Sequence, residues 1–203
     1  TPYTSSAASD VYKRQSVDKV VSVGAPIELR VAPRKARRIY ITDTEINHLA
    51  HKLSQPTDVV IPTHFIDSFA GPLMRKKCKF HRIDGLHGHV HLHPHMRPIS
   101  VCKPPKVLVR RLIGNGVHDA EEMTSIPENW LEGLDIITAD ENQYEDNPWE
   151  LTKTISQMNG VITQSVTLAS EAVLLGVPAL LVSKARRGFL DRLVEDGYPL
   201  FIA

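Results

Sequence analysis

Cysteine is scarce in this sequence. Cys78 and Cys102 are the only two, too few for a disulfide framework and with no neighbouring Cys to complete a paired metal motif. That usage suits a reducing compartment, and a cytoplasmic location is the expectation. An excess of one charge is lacking as well, because 24 basic and 23 acidic residues leave a formal +1. Nucleic acid is therefore not expected as a partner, and any site for a polyanion must be local. Long apolar runs are missing: none approaches the about 20 residues that span a bilayer, and nothing resembles a signal peptide. No transmembrane segment is expected, while peripheral membrane contact stays open without an amphipathic signature behind it. What remains is ordinary for a globular protein, 42% hydrophobic and 23% charged over 203 residues.

The opening stands apart. Ser5 to Gln15 reads SSAASDVYKRQ, which resembles the in-frame translation of a transposase adapter used in sequencing libraries. Residues 1–15 are expected to carry no part of the fold. The next run, Val17 to Val23, is β-branched and ends at Gly24, the pattern of an internal buried strand. The expectation is a first domain without its beginning, and a second that is incomplete at its end.

From there short apolar runs alternate with longer amphipathic ones. Strands are expected at Val20–Val23, Arg38–Ile41, Asp58–Ile61, Val107–Val109, Leu134–Ile137, Gly160–Ile162 and Ala179–Val182, since near-continuous Val, Ile and Leu suit parallel strands covered on both faces. Helices are expected at Thr44–Leu53, Pro148–Met158, Thr167–Leu175 and Gly188–Glu195. Gly176 before Pro178, and Gly197 before Pro199, are stop signals. This alternation predicts an α/β fold of βαβ units with right-handed crossovers. Gly85 to Pro105 breaks the rhythm with prolines at 94, 98, 104 and 105 and five histidines, and reads as an extended connection. Two blocks result, 16–98 and 99–203.

One stretch in the second block is more specific. From Gly160 through Thr163, Ser165, Thr167, Glu171 and Ala172 to Gly176 and Pro178, a strand enters a hydroxyl-bearing turn and a helix, and Gly then Pro lead into the next strand. This resembles the donor-nucleotide segment of GT-B proteins, including UDP-N-acetylglucosamine 2-epimerases and the N-acetylglucosaminyltransferase of peptidoglycan synthesis. It is most similar to an uncharacterised prokaryotic family allied to them, in which a Gly-Gly-Thr-Met turn precedes Glu-Ala-Ala-Leu-Leu-Gly-x-Pro. Asp43-Thr44-Glu45, Asp58 to Pro62, Gly85, Leu92-His93-Pro94, Arg110 and His118-Asp119 follow in the order that family requires. Two departures stand out. Ser165-Val166 replaces Gly-Gly, and the interval from His118 to Gly160 is short for the βα units expected there.

The resemblance implies two Rossmann-like, parallel-sheet domains and a glycosyltransferase using a UDP-sugar donor and an unknown acceptor, with its site in the interdomain cleft. A UDP-sugar 2-epimerase of the same fold, or a noncatalytic nucleotide-binding domain, are the alternatives. No cofactor or metal is implied. A diphosphate suits the Thr163 to Glu171 turn because free amides and the positive end of the helix dipole meet there. Ser165 and Thr167 can add hydroxyl donors, and the resemblance implies that Glu171 accepts from ribose hydroxyls. The same residues also read as plain helix capping, with Glu171 merely favourable to the dipole.

Elsewhere, His118 can stabilise a leaving diphosphate or exchange protons, with Asp119 beside it, or Asp119 can cap a helix. Asp43 or Glu45 can supply an acceptor-activating base, or Asp43 an N-cap. Arg186, with Lys184 and Arg187, can pair with phosphate or line a solvated basic loop. His87, His89, His91 and His93 alternate, so an extended strand would place them on one face. They read as a solvated ladder rather than a metal site.

Overall fold

The computed structural model describes residues 17–92, 102–112, 124–140 and 150–203. The expectations for residues 1–15, for His93, and for His118 and Asp119 lie outside that range. The chain is α/β and divides into two compact units, residues 1–84 and 85–203. Each unit is built on one sheet in which every pairing is parallel, the first of four strands and the second of five.

In the first unit β1 (Lys19–Val23), β2 (Arg37–Ile41), β3 (Asp58–Pro62) and β4 (Lys79–Ile83) lie side by side in chain order. Right-handed crossovers between neighbours taken in sequence place every connecting element on the same face. The packing follows that rule. Leu29 of α1 (Ile27–Val31), and Phe65, Ala70 and Leu73 around the Asp67–Ala70 turn and α3 (Gly71–Met74), cluster on Tyr40, Val59 and Ile61. His51 of α2 (His48–Leu53) meets Tyr40 edge-on, with ring centroids 6.0 Å apart. The opposite face bears Val21 and Val23 of β1 and Ile83 of β4, all exposed. This sheet is thus covered on one face only, whereas its β-branched sequence predicted cover on both.

The second unit contains β5 (Lys106–Arg110), β6 (Asp135–Thr138), β7 (Gly160–Thr163), β8 (Ala179–Leu181) and β9 (Leu200–Ile202), in the order β6-β5-β7-β8-β9. Here the direction of winding reverses once. Val107, Val109 and Ile162 pack on one face with Ile126 and Leu131 from the crossover between β5 and β6. On the other face Leu108, Val161 and Leu181 meet α4 (Leu151–Ile155), α5 (Val166–Leu174) and α6 (Gly188–Glu195) through Ile155, Leu168, Ala172, Leu190 and Leu193.

Both long helices of this unit stop by the same device. Gly176 and Gly197 take left-handed φ of 83° and 80°, open to glycine at no steric cost. Their amides return to Val173 and Val194, and those of the following Val177 and Tyr198 to Ala172 and Leu193. That is the paired bonding of a Schellman stop.

Several boundaries differ from the sequence reading. The helix expected from Thr44 begins at His48, capped by Asn47, whose Oδ1 accepts from the Ala50 amide at 3.4 Å. Asp43, expected as a cap, is an exposed residue after β2 instead. Strands β4 and β9 were not anticipated, since KFHRI alternates charges through the run and LFI is three residues long. The histidine-rich stretch forms a 3-10 turn at His87–Val90 rather than an extended strand, so strand alternation does not set where His87, His89 and His91 point. It belongs with the second unit.

Candidate functional site

In a doubly wound sheet, neighbouring connections diverge to opposite faces where the winding reverses, leaving a crevice at the carboxyl ends of the two strands involved. Here that point lies between β5 and β7, which pair from Val107 with Gly160 to Arg110 with Thr163. Two segments leave the sheet at this place: Arg111 onwards from β5, and Gln164-Ser165 from β7.

The turn after β7 is tightly determined. Thr163 is fully buried and its Oγ1 accepts from the Ser165 amide at 2.9 Å. Ser165 then caps α5, its Oγ accepting from the Leu168 amide at 3.3 Å. The capping role weighed from sequence is therefore the one Ser165 fills, and it leaves the first-turn amides of Val166 and Thr167 directed beyond the helical ladder. Val166 packs half-buried against the core. Thr167 is exposed, and Glu171 stands one turn further along the same face.

Gln164 was not singled out from sequence, yet it organises the site. It is buried; its Oε1 accepts from the Leu112 amide at 2.9 Å and its Nε2 donates to the Thr124 carbonyl at 2.7 Å. Leu112 and Thr124 bracket residues 113–123, so both ends of the segment carrying His118 and Asp119 are fastened to the turn after β7. No composition or period marks a lone glutamine for this. A buried amide beside two hydroxyl residues at a strand end is the only available signal.

Glu171 is half-buried, with Oε1 3.6 Å from Nε2 of His91. The His91 ring stands 5.5 Å from that of His87 across the 3-10 turn. Arg186 is exposed in the connection after β8, 3.6 Å from Asp191 of α6. Ser183 in the same connection is buried and accepts from the Ala185 amide at 3.1 Å. Arg111 is held by Asp140, whose Oδ1 accepts its amide at 2.7 Å. The second unit thus gathers Thr163, Ser165, Thr167 and Glu171 on one turn and helix, with Arg186 after the adjacent strand.

Glu45 sits in the first unit and is fully buried, its Oε1 accepting from the Ile66 amide at 3.1 Å. That geometry ties two loops together and does not present the carboxylate to solvent, so Glu45 lacks the access a general base requires. Among the described residues no group of three or more His, Cys, Asp or Glu side chains is arranged to hold a metal ion. No helix among them is long and apolar enough to cross a membrane. Comparison with protein-family models, curated proteins and solved structures yields no match to this chain.

Proposed function

We propose that the second unit binds a nucleoside diphosphate at the β5/β7 switch point, and that the chain belongs to a GT-B-like nucleotide-sugar enzyme, a glycosyltransferase drawing on a UDP-sugar donor. One observation carries the reading. The turn capped by Ser165 opens α5 where the winding reverses, and Gln164 fastens both ends of the 113–123 segment to it.

Each group then has a task. The amides of Val166 and Thr167, at the positive end of α5, receive phosphate oxygens, and the Thr167 hydroxyl adds a donor. Glu171, one turn along, accepts from ribose hydroxyls. Arg186 offers a further cation to the diphosphate, and His118 and Asp119 are the candidates for proton exchange with the leaving group. Thr163 and Ser165 shape the turn through hydroxyl oxygens that accept backbone amides, and the O–H of Ser165 adds a donor for a phosphate oxygen.

A second reading keeps the nucleotide and drops the chemistry. Burial of Glu45 removes one of the two acidic residues nominated as a base in the first unit and leaves only the exposed Asp43, which leans towards a noncatalytic nucleotide-binding domain.

Calorimetric titration of the chain with UDP tests the shared claim. Binding is expected, and Glu171→Ala should weaken it by about 1–3 kcal/mol through lost hydrogen bonds to a charged carboxylate. A folded chain that releases no heat with UDP overturns both readings. Release of free UDP from UDP-N-acetylglucosamine separates them, since only the enzyme performs it.

A further inference from the structure

The first unit carries a charge separation that its near-neutral parent sequence conceals. In a sheet of four parallel strands, every connection that enters a strand lies at one edge and every connection that leaves lies at the other. The entering edge is basic. Lys19 opens β1, Arg34 and Lys35 lead into Arg37 and Arg38 of β2, and Arg75 to Lys77 lead into Lys79 of β4. Helices α1 and α2 run back to this edge and bring Arg30 and Lys52 in their last turns. The leaving edge bears Asp43, Asp67 and Asp84, with Arg82 near the end of β4 as its cation, paired to Asp67 at 2.6 Å.

Little acid offsets these cations where they stand. Asp18 and Asp58 are the acidic residues of the entering edge, and Asp58 is saturated. It accepts from Arg37 at 2.7 and 3.0 Å, from Thr57 at 2.8 Å, and lies 2.9 Å from His81 Nε2. Other cations there are fastened to carbonyl groups, which fixes their position without cancelling their charge. Arg38 donates to the carbonyls of Gln55 at 2.6 Å and Arg34 at 3.2 Å. Lys76 Nζ donates to those of Ser54 at 2.6 Å and Lys52 at 3.2 Å. The three basic connections are thereby braced against one another as a single surface.

Aliphatic side chains stand exposed among them. Val31, between Arg30 and Arg34, is 76% exposed, and Val21, two residues beyond Lys19, is 55% exposed. No Phe, Tyr or Trp among the described residues of this unit is exposed, so bases of a single-stranded nucleic acid would find no stacking platform. Cations that surround exposed aliphatic groups suit a different polyanion, the head-group layer of an acidic bilayer, where charge draws the surface in and short apolar side chains enter the interface.

We propose that the entering edge of the first sheet is a docking surface for an anionic lipid membrane, with Arg34, Lys35 and Lys77 on head groups and Val31 in the interface. This surface is separate from the nucleotide site and stands or falls without it.

Vesicle flotation with the whole chain tests the proposal. Binding is expected to phosphatidylcholine vesicles containing about 30 mol% phosphatidylserine, to fall with added salt, and to be absent with phosphatidylcholine alone. The variant Arg34→Glu/Lys35→Glu/Lys77→Glu, whose altered side chains are exposed, should lower the partition coefficient by about tenfold or more. Val31→Ser keeps every charge and should lower it about threefold, in line with the loss of a small apolar contact. Circular dichroism confirms that each variant is folded. Equal binding to the two vesicle types, or none to either, overturns the proposal, as does charge-reversal without effect. A fluorescent oligonucleotide provides the competing arm: if it binds tightly, displaces the vesicles and is indifferent to Val31→Ser, the edge is a nucleic-acid surface instead.

Discussion

His91 Nε2 lies 3.6 Å from Glu171 Oε1, which joins the histidine-rich turn to the helix that opens at the switch point. The two side chains are 48% and 24% exposed, so water screens much of any attraction between them. In a double-mutant cycle of His91→Ala and Glu171→Ala, followed by urea denaturation, the coupling is expected to stay below about 1 kcal/mol. A larger coupling would mean that the pair is held dry and that Glu171 is a structural residue before it is a ligand for ribose.

The turn is seated by shape more than by charge. A Cβ added to Gly88 would overlap Cδ1 of Leu174, a buried residue of α5, and would crowd Leu92 as well. Gly88→Ala is expected to destabilise the chain by about 1–3 kcal/mol through overpacking. Shortening the obstacle should recover part of that loss, so Gly88→Ala/Leu174→Val is expected to melt above Gly88→Ala. A double variant no better than the single one would show that the turn moves aside at no cost.

Much of this architecture was legible because its signals are local and periodic. β2, β3, β5, β7 and α6 were found from runs of Val, Ile and Leu and from an amphipathic repeat with a Gly stop. What escaped has physical reasons. β4 is KFHRI, where only Phe80 faces the core, so its identity comes from pairing with β3 and not from its own composition. The start of α2 was displaced because Asp43 and Asn47 are equal as caps, and the backbone chose the second. At the candidate site the hydroxyls of Ser165 and Thr163 also accept backbone amides that shape the turn, a role that depends on the local backbone path. Gln164 was missed because its role exists only once Leu112 and Thr124 have been brought to it by the fold.

That clamp offers a direct measurement. Gln164→Leu keeps much of the volume and removes both bonds, leaving the Leu112 amide and the Thr124 carbonyl without the buried side chain that met them. A loss of about 1–3 kcal/mol is expected. Native-state hydrogen exchange should speed up at the Leu112 amide well beyond the change at Leu108, in the middle of β5. Uniform exchange across both would mark a general loss of stability and argue against a local clamp.

The one-sided cover of the first sheet separates two valines that look alike in sequence. Val59 is fully buried among Tyr40, Ile61 and Leu73, whereas Val23 is 72% exposed on the bare face. Val59→Ala should cost about 2 kcal/mol from lost burial and the cavity left behind, and Val23→Ala less than about 0.5 kcal/mol. Equal losses in chemical denaturation would show that something covers the Val23 face in solution.

Acid should destabilise the first unit in two separable steps. His51 is fully buried, and its pKa falls from 6.5 to about 4, chiefly because burial penalises the charged ring, with the neighbouring charges of His48 and Lys76 adding to it and the Thr44 backbone opposing. In the unfolded chain the ring takes up its proton as pH falls through about 6.5, while in the folded chain it waits until about 4. Over that window the unfolded state binds more protons, so stability must decline as pH decreases, by no more than about 3 kcal/mol once both pKa values have been passed. Asp58 acts lower down. Its carboxylate is held well below 3.8, first by the Arg37 hydrogen bonds and then by those of His81 and Thr57, so the stability it contributes is present above 3.8 and is lost as pH falls beneath that value. The expected experiment is urea denaturation from pH 7.5 to 4 for the parent chain and for His51→Leu, which retains an apolar filling against Tyr40. The parent should lose stability steadily below pH 6.5, and the variant should be nearly flat down to pH 4.5. If both slopes coincide, the buried ring is not the group that takes up the proton.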